Sequence, residues 1–170
     1  MELFTSDLWL KTVTEDDIYE VARMWNFEKG SISLEEARKA VDDMRNNHGQ
    51  NKMGCIRHLC FAVFEKGGDG VIGWCGLDGM CSPGKTVIFY MIDKNYRGRG
   101  YAAQCANKLL EYAFDTARIK SVYGGCFKDN IASYKVMVKA GMVFYTTDEE
   151  SGDPCFYTDS KIFHKIKNLE

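Results

Sequence analysis

The sequence carries no strong charge of either sign. Twenty-two basic side chains stand against 24 acidic ones, a formal net charge of −2. That leaves no basic field for nucleic acid. No apolar run approaches the roughly 20 residues of a membrane-spanning helix, and no membrane partner is expected. The opening MELFTSDLWLK lacks the basic start and long apolar stretch of a signal peptide, so the expectation is a cytoplasmic protein. No repeat, low-complexity tract or linker divides the 170 residues. A single domain over 1–170 is expected, large enough to bury a real core. Metal-ligand spacing is missing too. Cys55, His58 and Cys60 stand together in CIRHLC, but not at zinc-finger spacing, and no second cluster completes four ligands. Seven cysteines with no secretory start read as reduced thiols rather than a disulfide framework.

What is present is a regular alternation of patterns. DLWLKTV alternates and reads as a strand. TEDDIYEVARMWN comes next, with Thr14 as N-cap, acids in the first turn, and Ile18, Val21, Ala22 and Trp25 on one apolar face. Ser33 and Glu36 make a capping-box pattern for a second helix that Gly49 can end. HLCFAVFE, KGGDG and VIGWCGLD read as a hairpin, and TVIFYMID as another strand. A helix is expected from Tyr101 to Ala117, with Ala106, Leu109, Leu110, Ala113, Phe114 and Ala117 at helical spacing. KSVYGGCF is strand-like, and NIASYKVMVKAG is a short helix closed by Gly141. MVFYTT and CFYTDSKIFHKI read as a final strand pair around the polar loop DEESGDP. The order β-α-α-β-β-β-α-β-α-β-β describes a mixed α/β sheet with about four helices against it.

Two glycine-rich stretches look built for phosphate. GMCSPGKT, Gly79 to Thr86, spells Gly-x-x-x-x-Gly-Lys-Thr, the P-loop pattern. A P-loop needs a helix after it, whose N-terminal amides hold the phosphate. Lys85 and Thr86 lead instead into VIFYMID, β-branched and aromatic, hence strand. Pro83 also removes a backbone donor. The second stretch, YRGRGYA, has the right surroundings, with a strand before it and an amphipathic helix after it. Gly98 and Gly100 allow a sharp turn and close approach. The amides from Arg99 to Ala102 open the helix as an anion site, and Arg97 and Arg99 add charge within reach of a phosphate.

These residues resemble the GNAT superfamily of acetyl-CoA-dependent N-acetyltransferases. That family's pyrophosphate signature, Gln/Arg-x-x-Gly-x-Gly/Ala, is matched by Arg97, Gly98, Arg99, Gly100, Tyr101 and Ala102. DNIASYKVMVKAGM is similar to its Asn-x-x-Ser/Ala helix ending in Lys-x-Gly-Phe, with Asn130, Ser133, Lys139 and Gly141 in place and Met142 for the aromatic. LWLKTVTEDDIYEV and the capped SLEEA helix resemble the branch that acetylates ribosomal-protein N-termini. The resemblance implies a mostly antiparallel sheet with a splayed parallel strand pair, and acetyl-CoA lying in the gap as co-substrate. It implies that YMID bonds the pantetheine through the backbone of Met91 and Ile92, with the Ile92 amide facing the thioester carbonyl. Asn130 and Ser133 would bond the arm from the far side.

The implied reaction is direct attack of a primary amine on acetyl-CoA, with no metal and with the protein as monomer or homodimer. Two residues depart from the family. Many members have a Tyr seven residues after the motif Asn to protonate the leaving thiolate, and here that position is Met137; Tyr134 is the candidate substitute. The base position early in the strand is near Val87, and Asp78 is the nearest carboxylate. Without a strong base, acceptor pKa matters, and an α-amine is favoured. The acidic DEESGD loop points instead to a small polycation such as a polyamine or aminoglycoside. Met137 and Val87 leave a non-catalytic acyl-CoA-binding module open as well.

Overall fold

The computed structural model describes residues 1–25, 30–81 and 84–168. Asn26, at the end of the first expected helix, and Pro83 lie outside them. One eight-stranded sheet has the order β1-β2-β3-β4-β5-β6-β8-β7. Its strands are β1 Glu2–Phe4, β2 Leu8–Thr12, β3 His58–Glu65, β4 Val71–Asp78, β5 Thr86–Ile92, β6 Ser121–Gly125, β7 Val143–Thr147 and β8 Pro154–Asp159. Every neighbouring pair is antiparallel except β5 and β6. Among the described residues there are five α-helices: α1 Ile18–Arg23, α2 Leu34–His48, α3 Tyr101–Glu111, α4 Ile131–Lys139 and α5 Ser160–Lys167. None is long and apolar enough to cross a membrane.

Strand alternation sends the apolar residues to both faces. On one face Leu59, Phe61, Leu77, Ile88 and Val122 pack against Leu109, Leu110 and Phe114 of the α3 region and Phe163 of α5. On the other, Cys60, Ala62, Phe64, Trp74 and Met91 pack under Val21 of α1 and Ala37 and Val41 of α2. A one-residue slip of β3 would exchange these two sets. Phe61 is fully buried, and burial of such a side chain is worth roughly 1.5–3 kcal/mol. The register is therefore strongly held.

The local signals account for most boundaries. Ser33 Oγ accepts from Glu36 N at 3.2 Å, and the Glu36 carboxylate accepts from Ser33 N at 2.9 Å, the reciprocal cap that starts α2. Gly141 has φ 80°, the left-handed C′ turn that ends α4. The expected helix to Ala117 is α3 plus a π-helical turn over Tyr112–Thr116.

Two elements differ from the sequence reading. A short β1 precedes the first expected strand and pairs with it, Leu3 opposite Leu10. The final strand does not run on through SKIFHKI: it stops at Asp159, whose Oδ1 accepts from Ile162 N at 2.9 Å and caps α5. Phe163 at the centre of that helix is buried. The isolated DSKI capping signal was stronger than the strand pattern before it.

Candidate active site

The parallel pair β5–β6 carries the main feature. It is joined at only two positions, Thr86 opposite Val122 and Val87 opposite Tyr123. Beyond them β5 continues to Ile92 along β4, and β6 continues to Gly125 along β8. The two strands part into a V, and its β5 edge is a row of backbone groups.

Which groups face the V is set by alternation. Asp93 N donates to Ile72 O at 2.8 Å, toward β4. Peptide directions reverse at each residue, so Met91 also turns its N–H to β4, whereas Ile92 and Tyr90 turn theirs into the V. Met91 contributes to this edge only through its neighbours, and its side chain packs beneath α1 and α2. Tyr90, not singled out in the sequence, takes the second place at the edge.

At the mouth of the V lies the loop before α3. Gly98 has φ 79° and Gly100, the N-cap of α3, has φ 80° and ψ 4°. A side chain is strained in that conformation. A Cβ at either position would meet nothing within 4 Å, so the space above the loop is open. The amides of Tyr101 and Ala102 open the helix toward that space. Arg97 Nε donates to Ile92 O at 2.9 Å, which ties the loop to the end of β5. Arg99 Nη1 donates to Glu65 Oε1 at 2.9 Å, and Tyr101 OH donates to the same oxygen at 2.5 Å. Both side chains therefore brace the loop against β3. Alongside α3 runs a cavity of about 460 Å³ lined by Arg99, Gly100, Asn107, Lys108, Lys139 and Lys167 among others.

Helix α4 closes one side of the V. Asn130 caps it, its Oδ1 accepting from Ser133 N at 3.0 Å. Ser133 Oγ lies 2.8 Å from Tyr90 OH, a bridge from α4 to β5. Burial pushes the Tyr90 phenol up to about 12. Met137 is buried, its thioether directly over Gly124 of β6 and beside Ile88, so no larger residue fits at Gly124. The Tyr134 ring stands edge-on to Phe156 of β8 at 5.0 Å and the residue is 39% exposed. Cys126, at the end of β6, is half-buried, and its thiol is raised first by burial.

Asp78 ends β4 and divides its two oxygens. Oδ1 accepts from Met80 N at 2.6 Å and Cys81 N at 3.1 Å, the turn expected of an Asp there. Oδ2 lies 3.3 Å from His58 Nδ1. CIRHLC is accordingly dispersed: Cys55 is exposed, His58 turns to Asp78, and Cys60 is buried in the core, its thiol pushed up to about 12 by burial. The other glycine stretch is a connection between strands. Thr86 already belongs to β5, and Lys85 Nζ sits 5.0 Å from the centre of the Tyr123 ring. The acidic loop between β7 and β8 is largely self-bonded. Asp148 Oδ1 accepts from Ser151 N at 2.9 Å, and Asp153 Oδ1 accepts from Lys128 N at 2.9 Å.

An open strand pair, with glycine-hinged amides at the mouth of the gap and a bridging helix along one side, is a place for an extended ligand with an anionic head. Comparison with known proteins agrees. The acetyltransferase (GNAT) domain family matches residues 7–143. The uncharacterized N-acetyltransferase YnaD of Bacillus subtilis (strain 168) is 38% identical over 55 residues, 32% of this chain and 32% of that protein, so the chain spans about a third of that relative's length in the match. RimL, a ribosomal L7/L12 alpha-N-protein acetyltransferase solved with coenzyme A, superposes with TM-score 0.77 at 17% identity, over 94% of this chain and 98% of that one. FdhC, a nucleotide-linked sugar GNAT, gives TM-score 0.80 at 14% identity, over 99% and 96%. At such identities the superpositions speak for the fold, and the domain match speaks for the family: this chain belongs to the GNAT acetyltransferases.

Proposed function

We propose that the protein moves an acetyl group from acetyl-CoA to a primary amine by direct attack in a ternary complex, and that the acceptor is the α-amine of a protein N-terminus. The observation that carries this reading is the parallel pair that parts after Val87, with the Gly98–Ala102 loop at its mouth. In this reading the amides of Arg99 to Ala102 take the pyrophosphate, and Arg97 adds charge beside it. Lys139 and Lys167 offer the adjoining cavity positive charge for the remaining phosphate, while Lys108 is paired with Glu111 Oε2 at 2.9 Å. The pantetheine arm descends along β5 past Ile92, with Asn130 and Ser133 on its other side.

The chemistry is that of the groups at the V. The amine nitrogen attacks the thioester carbonyl carbon, and the developing oxyanion receives a backbone N–H of β5, Ile92 first. Carbon–sulfur cleavage then releases CoA as thiolate. A thiolate with a conjugate-acid pKa near 8.5 is a tolerable leaving group. The Tyr90 phenol, at about 12, lies about 3.5 units above that, so full proton transfer to the thiolate would cost roughly 5 kcal/mol. Tyr90 and Ser133 therefore stabilise the thiolate by hydrogen bonding. Cys126 is a poor covalent relay, because burial keeps its thiol protonated at neutral pH.

The acceptor class is decided by charge. An α-amine of pKa about 7.8 is about one-seventh neutral at pH 7, and a lysine amine near 10.4 about one part in 2500. The difference is about 3.5 kcal/mol of deprotonation. No carboxylate stands at Val87 to offset it. The rival polycation reading draws on an acidic loop whose Asp148 and Asp153 are already bonded to the chain.

The test is thiol release from acetyl-CoA with Ser- and Ala-initial peptides, n-butylamine and spermidine, beside calorimetric titration with acetyl-CoA and with ATP. The peptides are expected to react fastest and ATP to give no heat. Acetyl-CoA binding without thiol release for any amine would make the chain a binding module. Faster release with spermidine would move the acceptor to the polycations.

A further inference from the structure

The base for this reaction has no place in the sequence pattern, because the family position near Val87 is aliphatic. The strand register supplies another. His58 of β3 lies opposite Asp78 of β4, Asp78 opposite Val87 of β5, Val87 opposite Tyr123 of β6, and Tyr123 opposite Tyr157 of β8. Directly opposed residues share a face, with Cβ atoms about 4.5–5.5 Å apart. These five side chains therefore form one row across the sheet, on the face of α1 and α2. The row crosses the sheet at the apex of the V, the last paired position before β5 and β6 part.

The other face of the V is occupied. There Tyr90 bonds Ser133 of α4, and Met137 covers Gly124. An amine reaching a thioester in the V has the α1–α2 face left to it, the face on which this row lies.

Within the row, His58 is built as a proton acceptor. Its Nδ1 faces Asp78 Oδ2, and a carboxylate accepts only from N–H. The proton of the neutral ring is thereby placed on Nδ1, and the lone pair on Nε2. Nε2 has no hydrogen bond to any described residue. The ring reaches across β4 far enough to stack on Phe89 of β5, centroids 5.8 Å apart and planes at 14°. The side chains of His58 and Asp78 are 14% and 23% exposed, so the pair is shielded but open to water. Other ionisable groups lie nearby: Lys85 Nζ stands 5.0 Å from the centre of the Tyr123 ring, and the Cys81 thiol is raised by burial and then by Asp78. Arg57 Nε donates to Asn47 Oδ1 at 2.6 Å. His48, at the end of α2, is held below its ordinary value by burial, then by the N-terminal ammonium and His58.

We infer that His58 is the general base of acetyl transfer, reached from the amine through a chain of waters along this face, and that Asp78 is its positioning residue. The inference rests on the acetyltransferase reading above. Nε2 first takes a proton, through the intervening waters, from the bound ammonium and passes it to solvent, and as the now neutral nitrogen bonds the carbonyl carbon, the carbonyl pair moves to oxygen. The nitrogen, now cationic, gives one proton toward Nε2. The oxygen pair returns, the carbon–sulfur bond breaks, and the thiolate leaves with the sulfur pair. The imidazolium, faced by the Asp78 carboxylate, passes its proton to solvent, and the thiolate is protonated from solvent. One amine and one thioester give one amide and one thiol.

The test compares wild type, His58→Gln and Asp78→Asn, with Ala-initial peptide amide and n-butylamine as acceptors, by thiol release at saturating acetyl-CoA from pH 6 to 9. Asn at 78 can still accept from Met80 and Cys81, so the turn survives and the variant isolates the partner of His58. His58→Gln is expected to lower kcat/KM by about a hundredfold or more, within the span of general-base effects. The loss is expected to be larger for n-butylamine, because the variant must wait for neutral amine, and its rate should rise about tenfold per pH unit below the amine pKa. Asp78→Asn is expected to lose about tenfold or more, with acetyl-CoA affinity unchanged in both variants. A merely structural pair would lower both acceptors by the same factor. Equal loss for the two amines, or rates within threefold of wild type, overturns the role of His58 while wild-type transfer leaves the acetyltransferase reading intact. No thiol release by wild type with either amine overturns both.

Discussion

Replacing Gly100 by Val separates ligand binding from folding. Gly100 sits at φ 80° and ψ 4°, and a Cβ there meets nothing within 4 Å. The folded protein therefore suffers no clash, only the dihedral. A side chain in the left-handed region costs roughly 1–2 kcal/mol. For a chain of this size, 1 kcal/mol is about 2–4 °C in Tm, so a fall of about 2–8 °C is expected. Ligand binding is affected differently. The Val methyls fill the space over the amides of Tyr101 and Ala102, where the pyrophosphate is proposed to lie. Each hydrogen bond to a charged group is worth about 1.5–3 kcal/mol, so loss of two is at least about a hundredfold in affinity. Gly100→Ala bears the same dihedral cost with a smaller obstruction and should fall between. Calorimetric titration with acetyl-CoA and thermal unfolding read the two effects apart. A Gly100→Val variant that binds acetyl-CoA within threefold of wild type would refute the placement of the phosphates. So would an affinity loss that simply tracks Tm.

Lys85→Ala should leave acetyl-CoA affinity unchanged, since Lys85 precedes β5 and rests on Tyr123; a loss equal to that of Gly100→Val would move the phosphates to the other glycine stretch. Asp159→Ala should lower stability by about 0.5–2 kcal/mol through loss of the α5 cap, read in urea unfolding at pH 7. The Asp159 carboxyl is held low first by the Ile162 N–H, so its contribution is full above the ordinary carboxylate range and is lost as pH falls through the folded value; the variant's deficit should shrink as pH falls below the ordinary carboxylate range, and a constant deficit would count against the cap. Tyr134→Phe should keep kcat within about twofold, because the Phe ring preserves the edge contact with Phe156; a drop of tenfold or more would make Tyr134 the acid that protonates the thiolate. Activity should survive EDTA, because backbone amides are proposed to take the oxyanion; loss with EDTA and recovery with zinc or magnesium would contradict that.

The parts of the fold legible in the sequence are those set by local chemistry. Ser33 and Glu36 wrote the start of α2, Gly141 the end of α4, and the spacing of Leu109, Leu110 and Phe114 the buried stripe of α3. Strand β1 was not legible, because three residues, Glu2–Phe4, are too few to show a period. Helix α5 carried its signal in Asp159, but the alternating run before it, read as continuing, concealed the change of period. Among the site residues, Gly98 and Gly100 were legible because only glycine sits easily at their dihedrals. Tyr90 was not: from the sequence it is one aromatic in a buried strand, and only its pairing with Ser133, 43 residues away, gives it a role.

The same distinction explains why Asp78 could be named from the sequence and His58 could not. A carboxylate near a missing base is found by counting along the chain. A histidine 20 residues earlier is found only through register. In CIRHLC the neighbours of His58 are two cysteines, and linear reading asks about metal. The hairpin β3–β4 gives His58 a different set of neighbours: Asp78 beside it, Gly76 next along the same face, and Phe89 of β5 leaning over that glycine. A side chain at Gly76 would collide first with the Leu59 carbonyl oxygen of β3 and then with the Phe89 ring, so the glycine lets β3 lie close here and lets Phe89 lie against the imidazole. Gly76→Ala should therefore disturb His58 without touching it. Thermal unfolding should register the collision, and the ratio of n-butylamine to peptide rates should shift toward that of His58→Gln. A destabilised variant with an unchanged amine ratio would show that neither the Leu59 backbone beside His58 nor the Phe89 ring has a part in placing the base.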